Sequence, residues 1–600
     1  MNLIVQKYGG TSIGSVERVQ TVAQRIHKIA QKGNKVVVVV SAMGKTTDTL
    51  VKLASEITSS PCRREMDMLL STGEQVSIAL MSIALQELGQ PAISLTGAQV
   101  GIITEAEHSR ARILSINPHR IQRHLDRGEV VVVAGFQGIS DGTDLEITTL
   151  GRGGSDTSAV AIAASLKANC CEIYTDVPGI LTTDPRLVPD AQLINEITCD
   201  EMLELASLGA KVLHPRAVEL ARNYGIPLVV RSSWSDTPGT RVISPTPKPR
   251  YIDKLELTKS VDGINFDSDQ AKIALLRVPN SPGVAARIFG EIASQQLDVD
   301  LIIQSIHENN SNDIAFTVSK NVLNKAEAIV EAIAPALRNS PTNNDEAEVL
   351  IEKGAAKIAI VGAGMIGRPG IAAKMFKTLA DAQVNIEMIA TSEVKVSCVI
   401  SPNNSNRAID ALSKAFDVQL SETPIASNLV QVSPHVRGVA LDTKQVQIAL
   451  LSVQDCPGMA AKIFGTLADK NISVDTIIQS QRCRIINGMP TSDIVFTVSQ
   501  EDLQAVHTSL DILSGSFTEV ITDIEIAKVS IVGAGMLGQP GIAAKYFGAL
   551  AEQGINIKMI ATSEIKISCV VAKAEGIKAL KAVHKAFELT EQETSKISVL

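Results

Sequence analysis

A six-residue signature occurs four times in the second half of this chain, and it constrains the fold more than any other feature. Pro282-Gly283-Val284-Ala285-Ala286-Arg287 returns as Pro369-Gly370-Ile371-Ala372-Ala373-Lys374, as Pro457-Gly458-Met459-Ala460-Ala461-Lys462 and as Pro540-Gly541-Ile542-Ala543-Ala544-Lys545. Its glycines are 87, 88 and 83 residues apart. A fixed period of this size means that one supersecondary unit has been copied. Each copy reads strand, proline-glycine turn, amphipathic helix, strand, strand, the opening of a ferredoxin-like βαββαβ unit. Copies one and three share Asp313-Ile314-Ala315-Phe316-Thr317-Val318 and Asp493-Ile494-Val495-Phe496-Thr497-Val498. Copies two and four share Ala390-Thr391-Ser392-Glu393 and Ala561-Thr562-Ser563-Glu564. An ancestral pair was therefore duplicated as a pair. The copies are expected at 266–345, 346–425, 441–520 and 521–600, with a linker at 426–440.

The first 245 residues read differently. Apolar runs at Leu3–Gln6, Val36–Val40 and near 91–95, 130–134, 171–175 and 227–231 alternate with helical patterns. Strand alternating with helix predicts an α/β domain with a mostly parallel sheet. Ligands of such sheets bind at the carboxyl ends of the strands. A proline-rich connector, Ser244-Pro245-Thr246-Pro247-Lys248-Pro249-Arg250, opens a linker expected at 246–265.

Polar and glycine residues gather at the predicted strand ends. Lys7-Tyr8-Gly9-Gly10 sets a cation beside backbone that can approach phosphates, but without the spacing of a Walker loop. Glu74 stands in Ser71-Thr72-Gly73-Glu74, where plain helix capping is the commoner use. Leu150-Gly151-Arg152-Gly153-Gly154-Ser155-Asp156 packs three glycines, a cation and a carboxylate ahead of a small-residue helix. That junction suits an anion, and taken alone it is equally a well-capped loop. Gly135-Phe136-Gln137-Gly138, Thr175-Asp176, Asp184-Pro185-Arg186 and Gly209-Ala210-Lys211-Val212-Leu213-His214-Pro215 complete the set.

Lys7-Tyr8-Gly9-Gly10-Thr11-Ser12, Ser71-Thr72-Gly73-Glu74, Gly151-Arg152-Gly153-Gly154-Ser155-Asp156 and the Gly209–Pro215 motif, in this order, resemble the aspartate kinases of the amino acid kinase superfamily. The resemblance implies transfer of the ATP γ-phosphoryl group to the β-carboxylate of L-aspartate, with ATP and Mg²⁺. It assigns Lys7 to the transferring phosphoryl and Asp156 to organising the lysines and the metal-nucleotide. Arg152 would clamp the aspartate α-carboxylate and Glu74 its ammonium, with Thr47, Gly135, Phe136, Gly153, Gly154 and Ser155 around the substrate. Lys7, Tyr8, Gly9, Gly10, Ser41, Thr175, Asp176, Asp184, Arg186 and Lys211 would surround ATP. Leu181 stands where relatives can carry tyrosine. The chemistry agrees with such a site. A carboxylate nucleophile is already ionised at pH 7, so no general base is required, and positioning with charge neutralisation carries the rate.

The repeats resemble ACT amino-acid-sensing domains, whose effectors lie by the strand-to-helix turn. The resemblance marks Asn280, Gly283, Ala285 and Gln304 in the first pair and Asp455, Gly458, Ala460 and Gln479 in the second. It implies feedback inhibition by lysine, threonine or both, on the route to lysine, threonine and methionine. It also implies a homo-oligomer, a dimer by analogy, although two pairs in one chain could satisfy each other. Asn280 against Asp455 distinguishes the two turns, since a carboxylate holds an ammonium more firmly than an amide. Gly362-Ala363-Gly364-Met365-Ile366-Gly367 and Gly533-Ala534-Gly535-Met536-Leu537-Gly538 satisfy G-x-G-x-x-G but precede a proline-glycine turn instead of opening a helix, which opposes a dinucleotide site.

Composition narrows the alternatives. Net charge is −8 with no basic run, and aromatics are 3%, which disfavours nucleic acid. Eight cysteines show no C-x-x-C and no zinc spacing, so no protein-held metal is expected and a reducing cytoplasm fits. The chain enters a strand at once, leaving no room for a targeting peptide, and no apolar run of membrane-spanning length is expected. Glutamate or acetylglutamate kinase is the same-class alternative, and a non-catalytic amino-acid sensor the different-class one.

Overall fold

The computed structural model describes residues 2–209, 212–245, 255–256, 259–306, 311–337, 347–365, 368–420, 435–479, 484–486, 489–536 and 538–590. The chain divides into two compact units. One comprises Met1–Leu181, Leu193–Ala206 and Ala210–Thr258, the other Thr182–Gln192, Ser207–Gly209 and Lys259–Leu600.

The strands of the first unit are β1 (Leu3–Tyr8), β2 (Lys35–Val40), β3 (Ala92–Leu95), β4 (Ile102–Thr104), β5 (Ile113–Ile116), β6 (Val130–Ala134), β7 (Gln137–Ser140), β8 (Ile147–Thr149), β9 (Cys170–Thr175), β10 (Glu196–Thr198), β11 (Leu228–Ser232) and β12 (Thr240–Ile243). Its helices are α1 (Val16–Gln31), α2 (Thr46–Ile57), α3 (Arg63–Glu87), α4 (His119–Leu125), α5 (Gly154–Leu166), α6 (Cys199–Ser207) and α7 (Pro215–Tyr224). Eight strands form one sheet in the order β10-β12-β11-β9-β1-β2-β6-β3. From β11 to β3 every neighbour is parallel, as expected of the α/β alternation. Val36–Val40 and Val130–Val133 are buried on both faces, which is why these strands are unbroken β-branched runs. Each such valine contributes about 1.5–3 kcal/mol by burial. Over them lies α1, opened by Ser15, whose hydroxyl accepts from Arg18 N, and burying Val19, Val22, Ala23 and Ile26. The register sets Tyr8 beside Val40 and Tyr174, and Val40 beside Ala134. The carboxyl ends of β1, β2, β6 and β9 therefore share one edge. A smaller sheet, β5-β4-β7-β8, carries the chain toward Leu150.

Among the described residues α3 is long and apolar enough, by length and composition, to cross a membrane, which corrects the expectation that no run reaches that length. It is the core helix of this unit. It packs on β3, β6 and β8, and its buried side carries Asp67, Ser71, Glu74 and Ser77, groups that a lipid-facing surface would not satisfy.

The helices of the second unit are α8 (Val284–Ser294), α9 (Leu323–Ile333), α10 (Ile371–Asp381), α11 (Ser405–Phe416), α12 (Met459–Asp469), α13 (Leu503–Asp511), α14 (Ile542–Glu552) and α15 (Gly576–Ala586). A ten-stranded sheet joins copies two, one and four, and a five-stranded sheet belongs to copy three. Gly263–Pro279 and Glu348–Val361 run antiparallel over nearly their full lengths, Gly263 opposite Val361 and Leu276 opposite Glu348. One half of this ribbon completes copy one and the other half copy two, so the division at 345/346 does not separate two closed sheets. Gly438–Asp442, which begins inside the expected linker at 426–440, is an edge strand of copy four paired with Lys528–Val532.

The helices close their apolar faces within the chain: α8 packs on α14 and α10 on α12. Phe289 meets Phe547 at 5.3 Å and Phe376 meets Phe464 at 5.6 Å between ring centres. Copy one thus partners copy four and copy two partners copy three, which removes the ground for expecting these domains to pair across a dimer. The glycine-rich decoys have a structural cause. A β-carbon on Gly362 would lie 2.3 Å from Ser260 O, and one on Gly533 2.1 Å from His435 O. Close backbone crossing demands glycine there without any phosphate. Ile366, Gly367 and Leu537 lie outside the described residues.

The segment 182–192 folds with this unit. Thr182 Oγ1 hydrogen-bonds His584 Nε2 at 2.9 Å and donates to Leu589 O at 3.2 Å, while Val439 N donates to Thr182 O at 2.8 Å.

Candidate active site at the parallel sheet edge

At the end of β1, Lys7 Nζ lies 2.7 Å from Asp156 Oδ1, with only 13% and 10% of the two side chains exposed. Asp156 belongs to the first turn of α5, where the helix dipole favours an anion. The turn that aims α5 depends on Gly153. Its φ is +70°, and a β-carbon there would fall 2.1 Å from His214 Cγ. No other residue fits both demands.

Short hydrogen bonds gather the remaining loops at this point. Ser41 Oγ, after β2, donates to Ser155 Oγ at 3.0 Å. Phe136 N, after β6, donates to Ser158 Oγ at 3.2 Å, and Leu150 N donates to Phe136 O at 2.9 Å. Gly9 N, after β1, donates to Tyr174 O at 3.4 Å, and Gly44 N to Gly10 O at 3.0 Å. Ser41, Gly135, Phe136, Ser155 and Asp156 therefore meet beside Lys7, with Tyr8 buried in the sheet below. Arg152 is exposed and, among the described residues, forms no ion pair. Thr47 lies half-buried in the first turn of α2, and Thr175 with Asp176 closes β9.

Glu74 is the unusual group. One oxygen accepts from Ala42 N at 3.0 Å, while Oε2 is buried without a partner. Burial pushes its carboxyl up to about 7, although the Ala42 N–H opposes the shift. A buried carboxylate left half-satisfied is suited to an incoming cation.

Asp184 and Arg186 belong to the segment folded with the second unit, where Arg186 Nη2 pairs with Asp184 Oδ2 at 2.6 Å. Lys211 lies outside the described residues. His214 stands at the sheet edge, packed against Gly153. Its Nδ1 accepts from Arg216 N at 3.4 Å, which puts the ring proton on Nε2, and burial pushes its pKa down so that the ring is neutral. Its signal in the sequence is the Gly209–Pro215 motif, in which a histidine precedes a proline at a helix start.

In the second unit Gly283, Ala285 and Gln304 line a cavity of about 10 Å³, with Asn280 next to it in sequence but outside its lining, and Asp455, Gly458, Ala460 and Gln479 line one of about 20 Å³. Asn280 Oδ1 accepts from Asn556 Nδ2 at 2.7 Å and Asn312 Nδ2 at 3.2 Å, and Gln304 Nε2 donates to Ile557 O at 2.8 Å. Asp455 Oδ1 accepts from Asn385 Nδ2 at 3.3 Å. Roomier cavities of about 60 and 130 Å³ open at the other two turns, beside Asp298, Asp300 and Glu564 and beside Arg368, Glu393 and Asp475. The sequence does not bring the charged residues of those two cavities together, because their carboxylates come from a different copy or a later strand than the turn itself.

Comparison with known proteins identifies two kinds of domain. Residues 2–232 match the amino acid kinase family, and residues 272–336, 358–416, 448–511 and 529–587 match ACT domains. An aspartokinase of Geobacillus stearothermophilus is 49% identical over 416 residues, covering 69% of this chain and 97% of the relative. Aspartokinase 2 of Bacillus subtilis is 48% identical, covering 71% and 100%. The crystal structure of an aspartate kinase from Synechocystis matches all of both chains with a TM-score of 0.87 at 65% identity.

Proposed function

This chain belongs to the aspartokinase family, and we propose that its first unit performs phosphoryl transfer at the Lys7–Glu74–Asp156 edge while its second unit sets the rate. It is an ATP-dependent kinase of the aspartate carboxyl group, and its ACT domains make it allosteric. An oxygen of the ionised β-carboxylate attacks the γ-phosphorus, the bond from that phosphorus to the β,γ-bridging oxygen breaks, and ADP leaves. The product is 4-phospho-L-aspartate.

The observation that carries the assignment is Glu74, a buried carboxylate with one oxygen unsatisfied; Arg152, exposed and without an ion pair among the described residues, supplies the cation of the pair. An α-amino acid offers the ammonium and carboxylate that would complete both. N-acetylglutamate has no ammonium to offer, which disfavours that alternative. Lys7, steadied by Asp156, faces the transferring phosphoryl, and the N–H groups of the β1, β2 and α5 loops neutralise charge as it moves between two anions. Thr47, Gly135 and Phe136 border aspartate, while Gly9, Gly10, Ser41, Thr175 and Asp176 border ATP. Among the described residues no cluster of three acidic, histidine or cysteine groups could hold a metal ion, and Asp156 is engaged by Lys7. Mg²⁺ is proposed to arrive on the phosphates of ATP, with no protein cage of its own. Trapping the acyl phosphate as hydroxamate from L-aspartate, L-glutamate or N-acetylglutamate tests the substrate. Product from glutamate and none from aspartate would sink the reading.

The ACT turns are proposed to bind lysine and threonine, as feedback from the pathway this reaction opens, in the cytoplasm. Calorimetry on the full chain should show saturable binding of at least one of them. Absence of heat with both would end this part. A homodimer is proposed to form through surfaces other than the paired helix faces. A monomeric mass by light scattering would overturn it.

A further inference from the structure

Beneath the same edge lies a carboxylate that the reaction does not use. Asp67 is on α3, seven residues before Glu74, so the two face the same side of the helix. It is 0% exposed. Oδ1 accepts from Thr149 Oγ1 at 2.6 Å and from Ser109 N at 3.2 Å. Oδ2 accepts from Ser109 N at 3.0 Å and pairs with His108 Nδ1 at 2.8 Å. A carboxylate this deep is tolerated because both oxygens are engaged.

Its partners flank the Gly151–Arg152 turn on both sides. Thr149 ends β8, two residues before Gly151. Ser109 holds φ of +72°, uncommon for a residue with a side chain, and its carbonyl stands 2.9 Å from where a β-carbon on Gly151 would be. Ala111 N donates to Thr149 O at 3.0 Å, and Arg216 donates to Leu150 O and Ala111 O at 2.5 and 2.9 Å. Both walls of the turn hang on the Asp67 carboxylate.

We propose that Asp67 is a positioning residue that fixes the Arg152 turn relative to Glu74 and so sets the spacing at which the substrate's carboxylate and ammonium are gripped. The proposal rests on the assignment of Arg152 and Glu74 to those groups. An α-amino acid carries both charges on one carbon, so its two clamps must keep one separation. Helix α3 supplies one clamp directly and secures the other through Asp67, Thr149 and Ser109. ATP has no part in this spacing.

The experiment uses the full chain. Thr149→Val removes one donor to Asp67 with little change of shape, and Thr149→Ser keeps it. Thr149→Val should raise the KM for aspartate about tenfold and that for ATP less than about twofold, with Thr149→Ser close to the parent. Asp67→Asn should show the same split more strongly. In an Arg152→Ala background Thr149→Val should add less than about twofold, because the clamp it positions is gone. Equal rises in both KM values, or full additivity with Arg152→Ala, would overturn the proposal in favour of general support of the fold. An Arg152→Ala variant with unchanged aspartate KM would instead remove the assignment beneath it, and the proposal with it.

Discussion

Glu74 in the first unit and Asp475 in the second are both largely buried carboxylates, and the fold treats them in opposite ways. In the second unit Asp475 pairs with Lys528, whose side chain is only 2% exposed. Burial alone would raise that carboxyl, but Lys528 and Lys566 hold it below the usual range. Asp300 pairs with Lys357, and Glu564 with Lys395, with Lys357 Nζ a further 3.7 Å from Glu564. These lysines come from copies two and four, and the acids at Asp300 and Asp475 from copies one and three. The pairs stitch one helix-paired half of the unit to the other. In the first unit Glu74 is buried without an ion-pair partner among the described residues, and burial pushes its carboxyl up to about 7. A buried charge answered from within is architecture, and one left unanswered awaits a ligand.

The sharpest way to break this contrast is Lys7→Ala. Losing the cation at the transferring phosphoryl should lower kcat on the order of 10³-fold with aspartate and ATP, with aspartate KM little changed. Retention of a tenth of the activity would remove Lys7 from its assigned place. In the second unit Lys528→Met strands Asp475 and should destabilise by about 3 kcal/mol, read by calorimetric melting. Lys528→Met with Asp475→Leu should return to within about 1 kcal/mol of the parent. A double variant no better than the single would show that the lysine does more than answer its acid.

Glu74 supplies a pH signature. Its folded pKa of about 7 exceeds the ordinary 4.5, so the folded chain holds a proton that the unfolded chain has released. Stability from this group is therefore lost as pH rises through that window. Binding runs the other way, since only the anion grips an ammonium. Aspartate kcat/KM should fall about tenfold per pH unit below about 7, and Glu74→Gln should lower it on the order of 10² at pH 8 and flatten the profile. A slope unchanged in the variant would assign the titration elsewhere. The smallest effect is expected at Asp455, which among the described residues has an amide neighbour and no basic partner. Asp455→Asn, which makes this turn like that of Asn280, should weaken amino-acid inhibition about tenfold with basal turnover unchanged. No change in inhibition would place Asp455 with the structural acids.

Much of the site was legible because its chemistry is local. Gly151–Asp156 reads as an anion-friendly turn since glycines, a cation and a helix start are contiguous. Lys7 and Glu74 were legible through motifs that resemble a known family. Asp67 was not, because an acid in an apolar helix pattern acquires meaning only when Thr149 and Ser109 arrive from 82 and 42 residues away. Asp184 and Arg186 show the converse. Their place in the chain, after β9, groups them with the ATP-side residues, and only the fold shows that the segment 182–192 carrying them packs with the second unit.

By itself the sequence determined the alternation that builds a parallel sheet, the four copies and the order of the site motifs, because hydrophobic period, glycine and turn chemistry act over a few residues. Only the tertiary structure decided that copy one partners copy four, that a single ribbon serves two copies, and that Glu74 is buried with one oxygen unsatisfied. Those outcomes depend on which apolar faces meet and how much water they expel, and such quantities belong to the folded whole.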